Sequence, residues 1–583
     1  MRKRVLCGVV SLLGLVLAPR MAGAAPEWVE GDWIGALDGR DGTLYIAAHF
    51  REEQGRIAGS LEFPLKSDGA LDMEGVKIGE GSVTFEVRSP GANLLFEGGR
   101  RDDGRVTGSV RRAYASSRFE LVKLTTLAPE RLDAVAGNYE IEPGHVVLIA
   151  RKGESLMYVD AKAGRLGMLY AIGDRTLIAG PTVGSGYPVE LTISLPEAGD
   201  GPVQTLTWQR RNRPPLRAVR RTLYRTEQLG FYNGSIRLSA SLVLPPGPGP
   251  HPAIVMVHGS GPATRDSLRP WADVYARAGF AVLIHDKRGS GASTGNWARA
   301  TFDDLAGDAL AAMAYLRSRA EINPAQIGLH GMSLGSWVAP LAASRSGGRV
   351  AFVIAESASA LSPVEHERLR VEHQLRADGF PRDVIVRALA FMDRKFEVAK
   401  TGEGWESLAD PVERAGREGW AAYVNPPQTL ESLQWHWQHV LSYDPVPALK
   451  ALSCPVLVLY GGLDSIVPAE VNRARMEAAL GTSRTRDVTF RVFERANHSF
   501  LEAETGGRRE APSLRGFVAG YLDTHVAWLG PRVPRGAGFA AAAGAGHDLG
   551  GGVAVDGALD SLLPYLAVPT GDAPSYLPRA RQP

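Results

Sequence analysis

Ile327-Gly328-Leu329-His330-Gly331-Met332-Ser333-Leu334-Gly335-Ser336-Trp337-Val338-Ala339-Pro340 carries the strongest local pattern in the sequence. It reads as a strand, a sharp turn and a helix, because an apolar run follows the turn-forming Asn323-Pro324 and residues 336–343 are mostly apolar and helix-compatible. At its centre Gly331-Met332-Ser333-Leu334-Gly335 fits G-x-S-x-G, in which a strained turn lifts the serine out and the glycines permit close backbone approach. Ser333 is the candidate nucleophile. Small residues also recur in ordinary tight turns, so the motif draws its weight from the strand before it and the helix after it.

A serine hydroxyl is a poor nucleophile near neutral pH and needs a base to take its proton and an acid to orient that base. Both are offered downstream, in order. Residues 457–460 read as a strand, with Asp464 in the loop that leaves it; residues 490–493 read as another, with His498 in the following loop. The order Ser, Asp, His belongs to a sheet topology in which all three loops share one edge. Glu356 and Asp444 are rival acids, but only Asp464 pairs a post-strand position with that chain order.

Thirteen histidines compete for the base. His258, His285 and His330 sit at strand ends and read as loop-holding residues. His366 and His373, seven apart with glutamates nearby, read as a solvated helix face rather than a metal-binding one. His436 and His439 lie among Trp435 and Trp437 and read as packing or substrate-lining residues, with the two tryptophans as candidates for the substrate pocket. The turn His258-Gly259-Ser260-Gly261-Pro262 offers a main-chain donor for a developing oxyanion, the N–H of Ser260 with Gly261 as alternate. The N–H of Leu334 is the second.

On either side of this segment, short apolar runs at 239–244, 253–257, 281–284, 326–330, 351–355, 455–460 and 488–493 alternate with helical patterns, which predicts a mainly parallel, doubly wound sheet. The interval 357–443 lacks strand signals and reads as a helical cap insertion in an α/β domain spanning 222–530. Upstream, 25–125 and 126–221 are two β-rich blocks of short, alternating, Gly-punctuated segments, which predict small antiparallel barrels or sandwiches. The Gly- and Ala-rich tail, 531–583, is expected to be disordered, and a last helix is expected over 514–528.

Residues 1–24 carry Arg2-Lys3-Arg4, an apolar segment over 5–18 and Ala22-Gly23-Ala24, the pattern of a signal peptide. Export to the periplasm or beyond is expected, with no stable membrane insertion after cleavage, since the apolar segment falls short of the roughly 20 residues that span a bilayer. Of two cysteines, Cys7 lies in that segment, which leaves Cys454 as a buried structural thiol. Lys and Arg (65) nearly balance Asp and Glu (63), so no field argues for nucleic acid. The one basic run, Arg210 to Arg221, reads as a solvated strand edge or linker. Neither a complete G-x-G-x-x-G nor a P-loop is present, and no cofactor or metal is expected.

His258-Gly259-Ser260-Gly261-Pro262, Asp286-Lys287-Arg288-Gly289-Ser290-Gly291-Ala292-Ser293-Thr294-Gly295 and Gly331 to Gly335 together resemble bacterial carboxylesterases of the α/β-hydrolase superfamily, over residues 224–530. That resemblance implies Ser333, Asp464 and His498 as the triad, small-molecule esters as the substrate class, and a mainly structural role for the Asp286 to Gly289 loop. A peptidase or amidase and an acyltransferase remain open on the same fold. A binding protein that uses the β-rich blocks remains open from another class.

Overall fold

The computed structural model describes residues 28–39, 42–53, 55–64, 69–89, 92–112 and 115–534. The expected leader lies outside them, as does the expected tail from residue 535 onward; the first residues expected in that tail are instead ordered, with Arg532 paired to Asp487 at 2.7 Å and Val533 buried.

The first β-rich block is a compact unit of its own. Eight strands, from β1 (Gly31–Gly39) to β8 (Ala115–Lys123), follow one another and close, with Trp33 opposite Lys123 and Leu37 opposite Phe119. Closure leaves no sheet edge to protect. Phe50, Phe85, Phe96 and Phe119 form an aromatic row inside, with successive centroids 5.8, 4.7 and 5.3 Å apart. The strand over Ala70–Ile78 has no clean alternation, because Gly75 at φ 59° and a register shift between Glu74 and Lys77 interrupt it.

A second closed barrel runs from β9 (Gly137–Glu142) to β16 (Leu216–Arg221), again eight strands in sequential order. Helix α1 (Pro129–Val135) packs Leu132 and Val135 into its interior beside Tyr139, Ile149, Tyr158 and Trp208. The basic run is no sheet edge, since β16 pairs with β9 on one side and with Thr205–Arg210 on the other, while 211–215 form the solvated turn that links the two strands. The neighbouring barrel strands carry its charge: Arg221 meets Glu140, and Arg210 meets the buried Asp160 at 3.2 Å.

The third sheet has the order β17 (Arg225–Asn233), β18 (Ile236–Leu244), β20 (Ala281–His285), β19 (His251–Val257), β21 (Ile322–Met332), β22 (Val353–Glu356), β23 (Val456–Gly461), β24 (Val488–Phe493). From β20 to β24 all pairs are parallel, and β17 and β18 add an antiparallel edge. Helices α2 (Arg269–Arg277), α3 (Phe302–Arg317) and α4 (Gly335–Arg345) come first. The cap follows: α5 (Pro363–Ala377), α6 (Arg382–Thr401), α7 (Ala409–Arg417), α8 (Ala421–Val424) and α9 (Leu430–His436). The chain returns through α10 (Val446–Lys450), α11 (Ala469–Gly481) and α12 (Tyr521–Leu529).

The period of two in β19 explains how the layers form. Ala253, Val255 and Val257 face a core shared with α3, α4, α10 and α11, while Ile254 and Met256 face one shared with α2 and α12. Both faces are covered, so the strand is apolar throughout. The last helix begins at Tyr521 rather than 514, because 514–518 is drawn out as an extended segment: Phe517 bridges Leu501, Gly516 bridges Arg165, and Gly520 turns at φ 75°.

Cys454 is buried at the entry to β23, and burial pushes its thiol up to about 11. At pH 8 only about one thiol in a thousand is then ionised, and the thiolate is the reactive form. Ellman's reagent is expected to leave this thiol unmodified in native protein at pH 8 and to modify it fully in denaturant. Rapid native labelling would contradict the burial.

Candidate active site

Parallel β21, β22, β23 and β24 deliver their carboxyl-end loops to one edge. Ser333 follows β21 at φ 52°, the left-handed region that side chains rarely adopt. The flanking glycines make that turn sterically possible. A Cβ on Gly331 would lie 2.0 Å from the Gly335 carbonyl oxygen, and one on Gly335 would lie 2.5 Å from that of Val257. The Ser333 N–H donates to the Glu356 carbonyl at 3.0 Å, which ties the turn to the end of β22.

The structure brings Ser333, His498 and Asp464 together. His498 Nε2 lies 3.0 Å from Ser333 Oγ, and its Nδ1 lies 2.8 Å from Asp464 Oδ2. Asp464 is buried, and its Oδ1 accepts from the amides of Ile466 (2.8 Å) and Val467 (2.7 Å), which fixes the carboxylate plane. With Asp464 accepting, Nδ1 carries the ring proton and Nε2 presents a lone pair to the serine. Asn497 holds the histidine loop through the Ser499 and Leu501 amides, both at 3.1 Å.

The candidate oxyanion loop lies against Ser333: a Cβ on Gly259 would sit 3.5 Å from that of Ser333. Lys287 grips this loop, donating to the carbonyls of Gly259 (2.8 Å) and Gly261 (3.1 Å). In a trans peptide the C=O and the following N–H point in opposite directions, so pulling the Gly259 carbonyl toward Lys287 aims the Ser260 N–H away from it. Among the described residues neither the Ser260 N–H nor the Leu334 N–H makes a hydrogen bond. Leu334 also stands at the amino end of α4, where the helix dipole favours negative charge. The rest of the loop is structural: Asp286 accepts from the amides of Arg265 (2.9 Å) and Ala292 (3.0 Å), and Arg288 pairs with Asp308 at 2.7 Å and Asp304 at 2.8 Å. A lysine wedged between those two residues, just past a buried strand, was the sequence signal for the grip.

The other candidates fall elsewhere. Asp444 caps the turn into α10 through the Val446 amide. His258 and His285 are buried edge to face, 4.9 Å apart, and burial pushes both imidazoles down, that of His285 to about 4. His366 corrects the expectation of a solvated face: it is buried against Trp337 at 5.2 Å, because α5 turns that side onto α4. Trp435 lines a cavity of about 340 Å³ in the cap with Lys395, Glu367 and His436, whose walls include neither Ser333 nor His498. It stacks on His439 at 4.7 Å, while Trp437 packs on the cap's own core. Neither tryptophan reaches the triad in this arrangement.

Glu356 is committed to a cluster that sequence reading missed. Its carboxylate accepts from Tyr521 Oη (2.9 Å to each oxygen) and from His525 Nε2, and His330 Nε2 lies 3.2 Å away. Burial raises this carboxyl, but the two histidines outweigh it and hold the group well below the usual range. Ligand atoms of His330, Glu356 and His525 lie within 4.8 Å of one another, the spacing of a metal site. His525 Nδ1, however, faces the Tyr521 carbonyl at 3.0 Å, so both of its ring nitrogens are already engaged by protein oxygens. The missed signal was Tyr521 and His525, four apart on one side of an apolar helix.

The C-terminal region has the α/β-hydrolase fold. Residues 248–505 match a family model described as serine aminopeptidase, S33. Among curated relatives, a bifunctional esterase/perhydrolase of Acinetobacter calcoaceticus is 26% identical over 244 residues, 39% of this chain and 79% of that one. An esterase of Thermotoga maritima is 24% identical over 275 residues, 46% of this chain and 59% of that one. An esterase structure from Pyrococcus furiosus aligns over 53% of this chain and 91% of its own, at 15% identity and a TM-score of 0.34. The chain thus resembles α/β-hydrolase esterases. No described helix is long and apolar enough to cross a bilayer.

A fluorophosphonate probe, which reacts with an activated serine, is expected to label the protein at Ser333 alone, as read by peptide mass spectrometry. Asp464→Asn should slow labelling by roughly 10³-fold or more, since the imidazole loses its tautomer control. Labelling at another serine would displace Ser333 as the activated residue.

Proposed function

We propose that the chain is an exported serine hydrolase that cleaves carboxylic esters through an acyl-enzyme intermediate. The observation that carries this reading is the unbroken hydrogen-bonded line from Ser333 Oγ through both nitrogens of His498 to the buried Asp464. In the proposed cycle Oγ attacks the ester carbonyl as its proton passes to Nε2, and Asp464 stabilises the resulting imidazolium. The Ser260 and Leu334 amides meet the oxyanion, and each such donor is worth about 3 kcal/mol. Collapse breaks the C–O bond and the alcohol leaves with the Nε2 proton. Water, deprotonated by the same nitrogen, then releases the acid. The chemistry needs no cofactor.

The curated relatives named above, which are esterases, support an ester over the peptide end that the family description names. Export is supported by the leader-like sequence Arg2 to Ala24.

Initial rates on p-nitrophenyl esters from acetate to palmitate, beside aminoacyl p-nitroanilides, test the proposal. Fast ester turnover is expected, lost by ~10⁴-fold or more in Ser333→Ala. Amide turnover with little ester cleavage would promote the peptidase, and transfer to an added alcohol in preference to water would promote the acyltransferase. Lys287→Met should lower kcat by about 10- to 100-fold with KM little changed, because it frees the loop that aims one oxyanion donor. An unchanged kcat would remove Lys287 from the machinery.

A further inference from the structure

Glu356 and Ser357 are joined to both halves of the proton-transfer pair. The Glu356 carbonyl accepts the Ser333 N–H at 3.0 Å. Ser357, buried and at φ 44°, donates its hydroxyl to the His498 carbonyl at 2.7 Å and its N–H to the Leu459 carbonyl at 2.9 Å. A third link runs through the Glu356 side chain: Tyr521, which donates to both carboxylate oxygens, stacks on Phe500 with centroids 4.5 Å apart and planes 5° from parallel. Phe500 lies two residues past His498, itself at φ 62°. Trp271 Nε1 donates to Tyr521 Oη at 2.9 Å, and Tyr275 Oη meets His330 Nδ1 at 3.1 Å, so the cluster is closed on every side by side chains that are themselves buried.

We propose that Glu356-Ser357 is a positioning bracket that sets the distance between Ser333 Oγ and His498 Nε2. The buried carboxylate, clamped by Tyr521 and His525, fixes the main chain at the end of β22. That main chain holds the nucleophile by a carbonyl and the histidine loop by a hydroxyl. A carboxylate sealed from water is tolerated only while its ionic and hydrogen-bonding partners are all in place, so the bracket has one well-defined arrangement rather than a range. Misplacement of reacting groups by about 1 Å is enough to lower a rate about 100-fold. Glu356 and Ser357 touch no substrate in this account, and their effect passes through Ser333 and His498. The inference rests on the serine-hydrolase reading of the site.

The test uses the full chain, with p-nitrophenyl butyrate turnover and native-state hydrogen–deuterium exchange measured side by side. Glu356→Gln keeps the side-chain volume and removes the charge. It is expected to lower kcat by about 10-fold or more with KM within about twofold, and to speed exchange in peptides covering both 331–337 and 496–501. Ser357→Ala should lower kcat and speed exchange over 496–501 while leaving 331–337 protected. Tyr521→Phe serves in place of Glu356→Gln if that variant fails to fold, with exchange again expected to rise in both peptides. Wild-type kcat with wild-type exchange in the variants would overturn the bracket, as would a raised KM at unchanged kcat. If the wild-type protein cleaves no ester the functional reading fails, while the exchange data still decide whether the bracket holds the two segments.

Discussion

A serine held in left-handed backbone between two glycines is the constraint on which the rest of the site depends. Such a conformation costs on the order of 1–3 kcal/mol and persists only where its surroundings over-determine it. Here the surroundings are the close approach of Gly331 to Gly335, the packing of Gly335 against the end of β19, and the main-chain bond from Ser333 to Glu356. Ser357 and Phe500 share the positive φ, and both lie on the same sheet edge, next to the nucleophile and the histidine respectively. Backbone strain is thus concentrated where the side chains must be held, and buried polar contacts oppose its relaxation.

Much of this was legible because of how burial writes itself into sequence. A parallel strand covered on both faces has no polar side, so β19, β20 and β23 stand out as short apolar runs, and the loops after β21, β23 and β24 present Ser333, Asp464 and His498 in readable order. Strands escaped notice where that logic breaks. β17 is an exposed edge with only Phe231 fully buried. Arg165–Ala171 is buried on both sides, its Leu169 and Ala171 inside the barrel and its Leu166 and Met168 outside against other loops, so the expected alternation of a barrel strand is erased. The Glu356 cluster was illegible for a different reason. It joins residues from β21, β22 and α12 whose separations of 26 and 169 in sequence carry no local pattern.

The same outward face bears on what the second barrel is. Leu148, Met157, Val159, Leu166 and Met168 point away from the barrel interior and pack with Leu463, Leu501, Ala503 and Leu514. Leu463 immediately precedes Asp464, and Leu501 lies three residues past His498. The Phe517 N–H donates to the Gly164 carbonyl at 2.9 Å, joining the barrel's hairpin to the extended segment beyond the histidine. The loops that orient the imidazole therefore rest on the wall of the barrel.

This packing weighs against a division of labour in which the second barrel binds and the hydrolase domain merely carries it. A barrel that served as a detachable module would present a polar outer wall, because a contiguous apolar patch exposed by separation favours association or aggregation. Instead the apolar outward side chains between Leu148 and Met168 are consumed by contacts to the loops that carry Asp464 and His498, while its interior is filled with Tyr139, Tyr158 and Trp208. Each buried aliphatic side chain in such a contact contributes about 1.5–3 kcal/mol, so several of them together hold the loops more firmly than turns of their length would hold themselves. The barrel wall thus restricts the two loops that carry Asp464 and His498, and with them the geometry of the Ser333–His498–Asp464 contacts.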